Sequence, residues 1–156
     1  YDYRPLQVNG TEIRLIELAP SKHLDDELHC RLIHVDLRDF RDQYEAVSYT
    51  WGTTEDPEKL IVDADFTAGE EHSPRTLGGR QHISITANLA LALKRFRRRD
   101  KVRLIWADGA SIDQFNPDEK FHQIPIMQDV YESAFRVLVW IGDAEEEGRK
   151  CMDVLR

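Results

Sequence analysis

The chain of 156 residues has little cysteine, no long apolar run and fewer basic than acidic residues. Its two cysteines, Cys30 and Cys151, form neither a CxxC pair nor a metal-ligand spacing, which excludes a disulfide framework and favours a reducing compartment. The six histidines show no HExxH motif, so the sequence predicts no structural metal. We therefore expect a cytoplasmic protein that carries neither a metal nor a resident cofactor.

The charge balance limits the partners of this chain. Its net charge is −8, from 21 basic and 29 acidic residues, which argues against nucleic acid because phosphate binding needs a basic surface. The one basic cluster, residues 94–99, fits the end of a helix, where cations suit the helix dipole. No run approaches the roughly 18 apolar residues of a membrane span, so we expect neither nucleic acid nor a membrane segment.

Length and composition indicate a single globular domain with a sizeable core, since 41% of the residues are hydrophobic and 32% charged. The chain starts at Tyr1 rather than Met and stops at Arg156 within a pattern typical of a helix. We interpret residues 1–156 as one domain and as an N-terminal excerpt of a longer protein, whose other domains would be its partners.

Two stretches in the first half predict strands. Residues 12–18 and 28–35 alternate apolar and polar residues around a polar turn, which predicts an antiparallel β-hairpin at the edge of a sheet with one face in solvent. Residues 44–52, YEAVSYTWG, predict a strand that ends in small and polar residues. Gly52 permits close approach of a ligand there; alternatively, Trp51 packs in the core and Gly52 only turns the chain.

Residues 102–142 predict a strand, a polar loop, a helix and a second buried strand. Asp108 ends the first strand, while Asn116 and Pro117 are typical of a helix start. Glu119 stands three residues after the cap, where its carboxylate could reach back to the cap amide. The helix has Pro125 in its interior, and we favour a kink there over a fresh helix start. Its predicted apolar face consists of Phe121, Ile124, Met127, Val130, Tyr131 and Ala134.

The remaining elements complete an α/β pattern. Residues 60–64 and 82–85 could pair as a hairpin around a long loop at 65–81, and Thr86 caps a helix over 87–98. The acid-rich residues 143–147 predict the start of a last helix. Two strands joined by a helix favour a largely parallel central sheet flanked by helices, in which ligands bind beyond the carboxyl ends of the strands.

These stretches together resemble the fungal heterokaryon incompatibility (HET) domain. The shared motifs, in the order of the family, are YEAVSYTWG at 44–52, ITANL at 85–89 with Ala92 and Leu93, IWAD at 105–108, IDQ at 112–114, Glu119, Lys120, Gln123, Met127, Tyr131 and VLVWIG at 137–142. Two positions depart from the family pattern, since Ser111 stands where Cys is usual and Asp113 where Asn is usual. The loop at 65–81 looks like an insertion.

The resemblance implies an effector of fungal non-self recognition, whose activation leads to programmed cell death when incompatible strains fuse. The family is also remotely similar to TIR domains, some of which cleave NAD⁺ with a catalytic glutamate. This similarity implies a TIR-like, flavodoxin-like fold that acts as a homo-oligomer. It also implies an NAD⁺ glycohydrolase, a hydrolase for which NAD⁺ or a related nucleotide is the substrate.

The same resemblance assigns site residues. Glu119 and Asp108 would be the catalytic residues. The Glu119 carboxylate would stabilise the oxocarbenium-like transition state of ribosyl transfer or hold the ribose hydroxyls, and Asp108 would hydrogen-bond to the substrate and position it. The nucleotide would be bound by Ser48, Tyr49, Thr50, Trp51, Gly52 and Gln114. In the structural alternative, Glu119 is a capping acid that contributes about 0.5–2 kcal/mol to the helix, and Asp108 bonds to loop amides. Glu45 is expected to make a structural bond.

Two other functions remain open at this point. The domain could be a non-enzymatic interaction module that signals by oligomerising, with the polar residues holding the fold or an interface. It could also bind a nucleotide without hydrolysing it. The sequence alone does not separate these alternatives from the enzyme.

Overall fold

A seven-stranded sheet flanked by helices organises the described part of the chain, which in this computed structural model comprises residues 1–7, 10–63 and 81–142. The strands are β1 (Glu12–Leu18), β2 (Leu28–Asp36), β3 (Glu45–Tyr49), β4 (Glu58–Val62), β5 (Gln81–Ile85), β6 (Arg103–Trp106) and β7 (Arg136–Trp140). The helices are α1 (Ala87–Phe96), α2 (Asp108–Ser111) and α3 (Pro117–Ser133). The α/β class predicted from the sequence is therefore confirmed.

The sheet is mixed rather than largely parallel. Its order is β5-β4-β2-β1-β6-β3-β7. The pairs β2/β4, β3/β6 and β3/β7 are parallel, whereas β1/β2, β1/β6 and β4/β5 are antiparallel. Both antiparallel hairpins, β1/β2 and β4/β5, were predicted, but they lie within this one sheet together with the antiparallel pair β1/β6, so the sheet is not largely parallel. In the predicted strand-helix-strand unit, β6 and β7 are both parallel to β3, which lies between them.

The N-terminal hairpin is present, but its expected position at the edge is wrong. Strands β1 and β2 pair antiparallel, and they occupy the middle of the sheet. The physical reason is that β1 is apolar on both faces: Ile13 and Leu15 pack in one core cluster, while Ile16 and Leu18 pack in the other. A strand with one face in solvent would not bury all four of these side chains.

The two core clusters lie on opposite faces of the sheet, because alternate residues of a strand point to opposite sides. Helix α1 contributes Leu89 and Leu93 to one cluster, and Val130 of α3 belongs to the other. The Thr86 hydroxyl accepts a hydrogen bond from the Leu89 amide, so the predicted cap of α1 is confirmed. The sheet is therefore covered by α1 on one face and by α3 on the other.

Helix α3 begins as predicted, and the second half of its predicted apolar face packs as expected, since Val130 is buried and Met127, Tyr131 and Ala134 pack against the same core cluster. The Asn116 side chain accepts from the amides of Asp118 and Glu119, and the helix continues through Pro125, so a fresh start at Pro125 is wrong. Phe121 and Ile124 of the predicted apolar face are exposed. The residues that α3 buries are Glu119, Gln123, Val130 and Ser133. Polar anchors in its first half decide this orientation, because Gln123 donates to the Glu12 carbonyl and Glu119 binds Arg14.

Strand β7 was expected to be buried, yet it forms one edge of the sheet and exposes Val137 and Val139. A run of consecutive apolar residues does not distinguish a central strand from an edge strand whose face is open. The predicted hairpin of β4 and β5 is confirmed. The predicted loop up to residue 80 and the predicted last helix after 142 lie outside the described residues. Within the described residues, no helix is long and apolar enough to cross a membrane.

Candidate functional site

The carboxyl ends of β3, β6 and β7 meet at one edge of the sheet because these strands are parallel. At this edge the Trp51 indole Nε1 donates to Asp108 Oδ2 at 2.9 Å. The predicted tryptophan-glycine turn and the aspartate that follows β6 are therefore in direct contact. Asp108 is half-buried and begins the short helix α2, rather than a loop, and its Oδ1 accepts from the Gly109 amide at 2.7 Å.

Asn88, in the first turn of α1, joins the ends of two strands at this site. Its Nδ2 donates to the Thr50 carbonyl, and its Oδ1 accepts from Trp140 Nε1 at 2.8 Å. Gly52 has a φ of +73°, so it turns the chain in a conformation that suits glycine. Trp51 is 40% exposed, and the alternative in which it packs in the core is therefore wrong.

Tyr49 lies beneath this cluster on the α1 side of the sheet. Burial raises the pKa of its hydroxyl, and the negative charge of Asp108 adds to the shift. The hydroxyl has no hydrogen-bond partner of standard geometry among the described residues. A Cβ atom at Gly109 would collide with this hydroxyl, so the close approach of α2 to β3 requires a glycine there.

Gln114 stabilises the turn that follows α2 and borders a pocket. Its Nε2 donates to the carbonyls of Asp108 and Ile112, at 2.8 and 3.3 Å. The pocket has a volume of about 410 Å³, and the described residues that line it include no Lys or Arg. Among the lining residues are Tyr3, His82, Ser84, Gly109, Asp113 and Gln114. The described part of the lining therefore offers no lysine or arginine side chain to a phosphate group.

Ser48 and Thr50 do not share the side-chain contact that Trp51 makes with Asp108. Ser48 lies in β3 beside Val139 and on the face opposite to Tyr49, since successive residues of a strand alternate. Thr50 takes part through its backbone carbonyl, which Asn88 contacts. Of the predicted nucleotide-binding residues, Trp51 contacts the Asp108 side chain, Gln114 contacts its carbonyl, and Tyr49 lies close by.

Glu119 forms a buried ion pair with Arg14 of β1. Arg14 Nη1 donates to Oε1 at 2.5 Å and Nη2 donates to Oε2 at 2.8 Å, and the Asp113 amide donates to Oε1 at 2.7 Å. The two side chains are 1% and 6% exposed. The expected bond from Glu119 back to the cap amide is absent, because the Asn116 amide donates to the Asp113 carbonyl. The charge-assisted bonds to Arg14 are the stronger alternative for the carboxylate.

The environment keeps Glu119 ionised. Burial by itself would raise its pKa, but hydrogen bonds from Arg14 and from the Asp113 amide outweigh burial and hold the pKa below its usual value. Arg14 also donates to the carbonyls of Ser111 and Arg4. The ion pair thus ties the segment after α2 to β1 and to the N-terminal segment. The structure brings Trp51 and Asp108 together, whereas it places the Glu119 carboxylate in this separate cluster.

Arg14 and Asn88 were not predicted as parts of the site. Arg14 had a signal in the sequence, since a single charged residue within an apolar strand indicates a buried partner. Glu45 makes the structural bond that was predicted for it, with Arg103 and Arg136. The hydrogen bond from Arg103 lowers the pKa of Glu45 to about 2. Within the described ranges, no group of three or more His, Cys, Asp or Glu could hold a metal ion.

Fold and site together define a mixed α/β domain with a tryptophan-aspartate contact at the carboxyl ends of its parallel strands. The chain belongs to the heterokaryon incompatibility family, because the family described as Heterokaryon incompatibility protein (HET) matches residues 44–156. It is also 29% identical over 160 residues to the Heterokaryon incompatibility protein 6, OR allele, of Neurospora crassa. That alignment covers 99% of this chain, which spans 22% of the length of the relative. No solved structure matches the chain, and the TIR-like identity of the fold stays a prediction.

Proposed function

We propose that this domain is an effector of fungal heterokaryon incompatibility, and that its activation causes cell death when incompatible strains fuse. Two findings support the proposal: the family match over residues 44–156 and the similarity to a Neurospora incompatibility protein along 99% of the chain. Because the similarity covers 22% of that relative, we assign the recognition of the incompatible partner to other domains of a longer protein.

We further propose that the domain cleaves NAD⁺ at the Asp108 end of the sheet. The observation that carries this step is the 2.9 Å contact between Trp51 Nε1 and Asp108 Oδ2 at the carboxyl ends of β3 and β6. Ligands of open α/β sheets bind in this position. The partly exposed indole offers a surface on which a base or a nicotinamide ring can stack.

In this reaction Asp108, rather than Glu119, is the carboxylate near the substrate. Water attacks the ribose carbon, the bond to the nicotinamide nitrogen breaks, nicotinamide leaves with the bonding electrons, and the water proton passes to solvent. Positive charge develops on the ribose, and the Asp108 carboxylate stabilises it. A substrate at Glu119 would have to displace Arg14, and breaking a buried ion pair costs about 3–5 kcal/mol.

The alternative function is a non-enzymatic module that signals by forming homo-oligomers. The observation in its favour is that the carboxylates of both candidate acids already accept hydrogen bonds. Trp51 and the Gly109 amide bind Asp108, while Arg14 and the Asp113 amide bind Glu119. In this case the polar residues at the end of the sheet hold α2 and β3 in place.

Asp108→Asn separates the two functions better than a change at the buried Glu119, because it removes the charge and leaves an oxygen that can accept from Trp51. Asp118→Asn is the matched control, since Asp118 is an exposed acid in the first turn of α3. Each protein is clustered by a fused dimerising tag, incubated with NAD⁺ and assayed for nicotinamide, and each gene is tested for killing in a fungal host.

If the domain is an NAD⁺-cleaving enzyme, the parent and Asp118→Asn should release nicotinamide and kill the host cells. Asp108→Asn should fold normally and do neither. If the domain is a non-enzymatic interaction module, Asp108→Asn should kill the host cells as well as the parent does. The clustered parent protein should then release no nicotinamide. Calorimetry with NAD⁺ and ADP-ribose then distinguishes a module that binds nucleotide without cleaving it from one that does not bind.

A further inference from the structure

The pocket beside Gln114 is lined by the N-terminal segment, strand β5 and the turn that follows α2, and we call it the Phe115 pocket. Its volume of about 410 Å³ lies within the range of small-molecule sites, which is roughly 300–1,000 Å³. The lining includes Tyr1, Ser84, Asp113, Gln114 and Phe115. The reaction proposed for Asp108 uses none of these residues, so the Phe115 pocket is a separate candidate site.

Two aromatic rings of this pocket are exposed. Phe115 is 91% exposed and Tyr1 is 40% exposed. The backbone of Phe115 is nevertheless fixed, because its amide donates to Asp113 Oδ1 at 3.0 Å. Tyr1 contacts Tyr3 edge to face, with the ring centroids 4.9 Å apart. Both residues are therefore held in place and leave ring surface on which a flat ligand group can stack.

The side-chain oxygens of Gln114 and Asp113 remain available as acceptors. Both amide hydrogens of Gln114 are in use, since Nε2 donates to the carbonyls of Asp108 and Ile112. Its Oε1 accepts no hydrogen bond from the residues that the structure describes. Asp113 Oδ2 likewise has no donor in the described part of the chain, whereas Oδ1 accepts from the Phe115 amide. A ligand that pairs with these two oxygens must carry hydrogen-bond donors.

The charge of the lining favours a cation. Its described residues include two acids, Asp2 and Asp113, and one imidazole, that of His82, but neither lysine nor arginine. The net charge of −8 gives the whole chain a field that attracts cations. The preferred ligand therefore carries a positive charge as well as donors.

We propose that the Phe115 pocket binds a guanidinium group, which belongs either to a small metabolite or to an arginine side chain of another polypeptide. This group is planar, positively charged and rich in N–H donors, so it suits the exposed rings and both acceptor oxygens. Its stacking on an aromatic ring adds a cation–π attraction. An ammonium group lacks the plane, and a neutral base lacks the charge. The assignment does not depend on NAD⁺ cleavage at Asp108.

NMR titration of the ¹⁵N-labelled 156-residue chain tests the proposal with butylguanidinium as the probe. Butylurea is a planar but neutral analogue, and butylamine is charged but not planar. We expect butylguanidinium to shift the amide signals of residues 113–115 at concentrations at which both analogues leave these signals unchanged. The absence of a shift with butylguanidinium would overturn the proposal. Equal or tighter binding of butylurea, butylamine or adenosine at the same residues would overturn it as well.

Variants of the lining locate the bound group. Asp113→Asn removes the charge but keeps an oxygen for the Phe115 amide, and it should weaken butylguanidinium binding at least about tenfold. Phe115→Ala removes the exposed ring and should weaken binding at least about threefold. The controls Asp118→Asn and Phe121→Ala change an exposed acid and an exposed phenylalanine of α3 that do not line the pocket, and should leave the affinity unchanged. Unchanged affinity in Asp113→Asn or in Phe115→Ala would overturn the proposal.

A blocked glycyl-arginyl-glycine peptide distinguishes the two sources of the guanidinium group. Tighter binding of the peptide than of butylguanidinium would support an arginine side chain of another polypeptide. Weaker binding of the peptide would support a small metabolite. Peptide binding that Asp113→Asn does not weaken would contradict the assignment of the arginine side chain to this pocket.

Discussion

Arg14 of β1 binds both carboxylate oxygens of Glu119 on α3, although 105 residues separate the two in the chain. The pair is buried, and Arg14 also donates to the Ser111 carbonyl just after α2. It therefore fixes the start of α3 and the end of α2 to the central strand of the sheet. Its energetics, and those of the neighbouring contacts, lead to four predictions besides the experiments above.

Replacing Arg14 by Met should destabilise the protein strongly, because it leaves the Glu119 carboxylate buried without a cation. We expect a loss of about 3–5 kcal/mol in the free energy of unfolding, measured by urea denaturation. Arg14→Met with Glu119→Leu should recover much of this loss, because no unpaired charge remains. The control is Arg4→Met, which removes an exposed partner of Glu12 and should change stability by less than about 1 kcal/mol. Equal effects of Arg14→Met and Arg4→Met would contradict this account.

Gly109→Ala should destabilise the contact between α2 and β3, because the added methyl group meets the Tyr49 hydroxyl. Overpacking of this kind typically costs about 1–3 kcal/mol. Tyr49→Phe removes the clashing oxygen, so the double variant should be more stable than Gly109→Ala alone. Thermal and urea unfolding of the four proteins in this double-mutant cycle measure the coupling energy. Additive effects of the two substitutions would show that the clash is not the cause.

Stability should fall as the pH is lowered from about 4 to about 2. The pKa of Glu45 in the folded protein is about 2, and the pKa of Glu119 is also below its usual value. The pKa of a glutamate in the unfolded chain is about 4.3. The unfolded chain therefore takes up protons first, and the contribution of both residues is lost as the pH approaches the folded pKa. Urea unfolding across the window from about pH 5 to about pH 2 measures the decline. Glu45→Gln should flatten the curve, and an equally steep curve in this variant would exclude Glu45 as a source.

Asn88→Ala should remove the hydrogen bonds that join α1 to Thr50 and Trp140. Each such bond contributes about 0.5–1.5 kcal/mol, so we expect a loss of roughly 1–3 kcal/mol in the free energy of unfolding. Asn88→Asp keeps the oxygen that accepts from Trp140 but sets a carboxylate oxygen against the Thr50 carbonyl, so it should also be less stable than the parent while retaining the Trp140 bond. The Trp140 indole proton should shift in the NMR spectrum of Asn88→Ala. An unchanged indole signal there would exclude the hydrogen bond between the two side chains.

Local signals in the sequence were sufficient for much of the fold. The Thr86 and Asn116 caps, the β4/β5 hairpin and the β1/β2 pairing all depend on residues close together in the chain, whose spacing and turn chemistry can be read directly. The contact between Trp51 and Asp108 was also predictable in outline, because both residues follow strands that run parallel. The motifs that identify the family are of the same local kind.

The position of β1 and the exposed side of α3 were not predictable in this way. Both depend on the order of strands in the sheet, which hydrophobic periodicity does not contain. The apolar residues on both faces of β1 are compatible with a central strand, but they do not specify which strands lie beside it. For α3, however, Glu119 and Gln123 replace Phe121 and Ile124 on the buried side, because their partners lie on β1 more than 100 residues away.

By itself, the sequence determined the α/β class, the helix caps, the family and the two segments that meet at Trp51 and Asp108. Only the tertiary structure revealed how the environments of the two candidate acids differ, by placing Glu119 against Arg14 and leaving Asp108 half-buried at the end of the sheet. The reason is physical: spacing along the chain sets local conformation, whereas the accessibility of a carboxylate depends on which distant side chain packs against it.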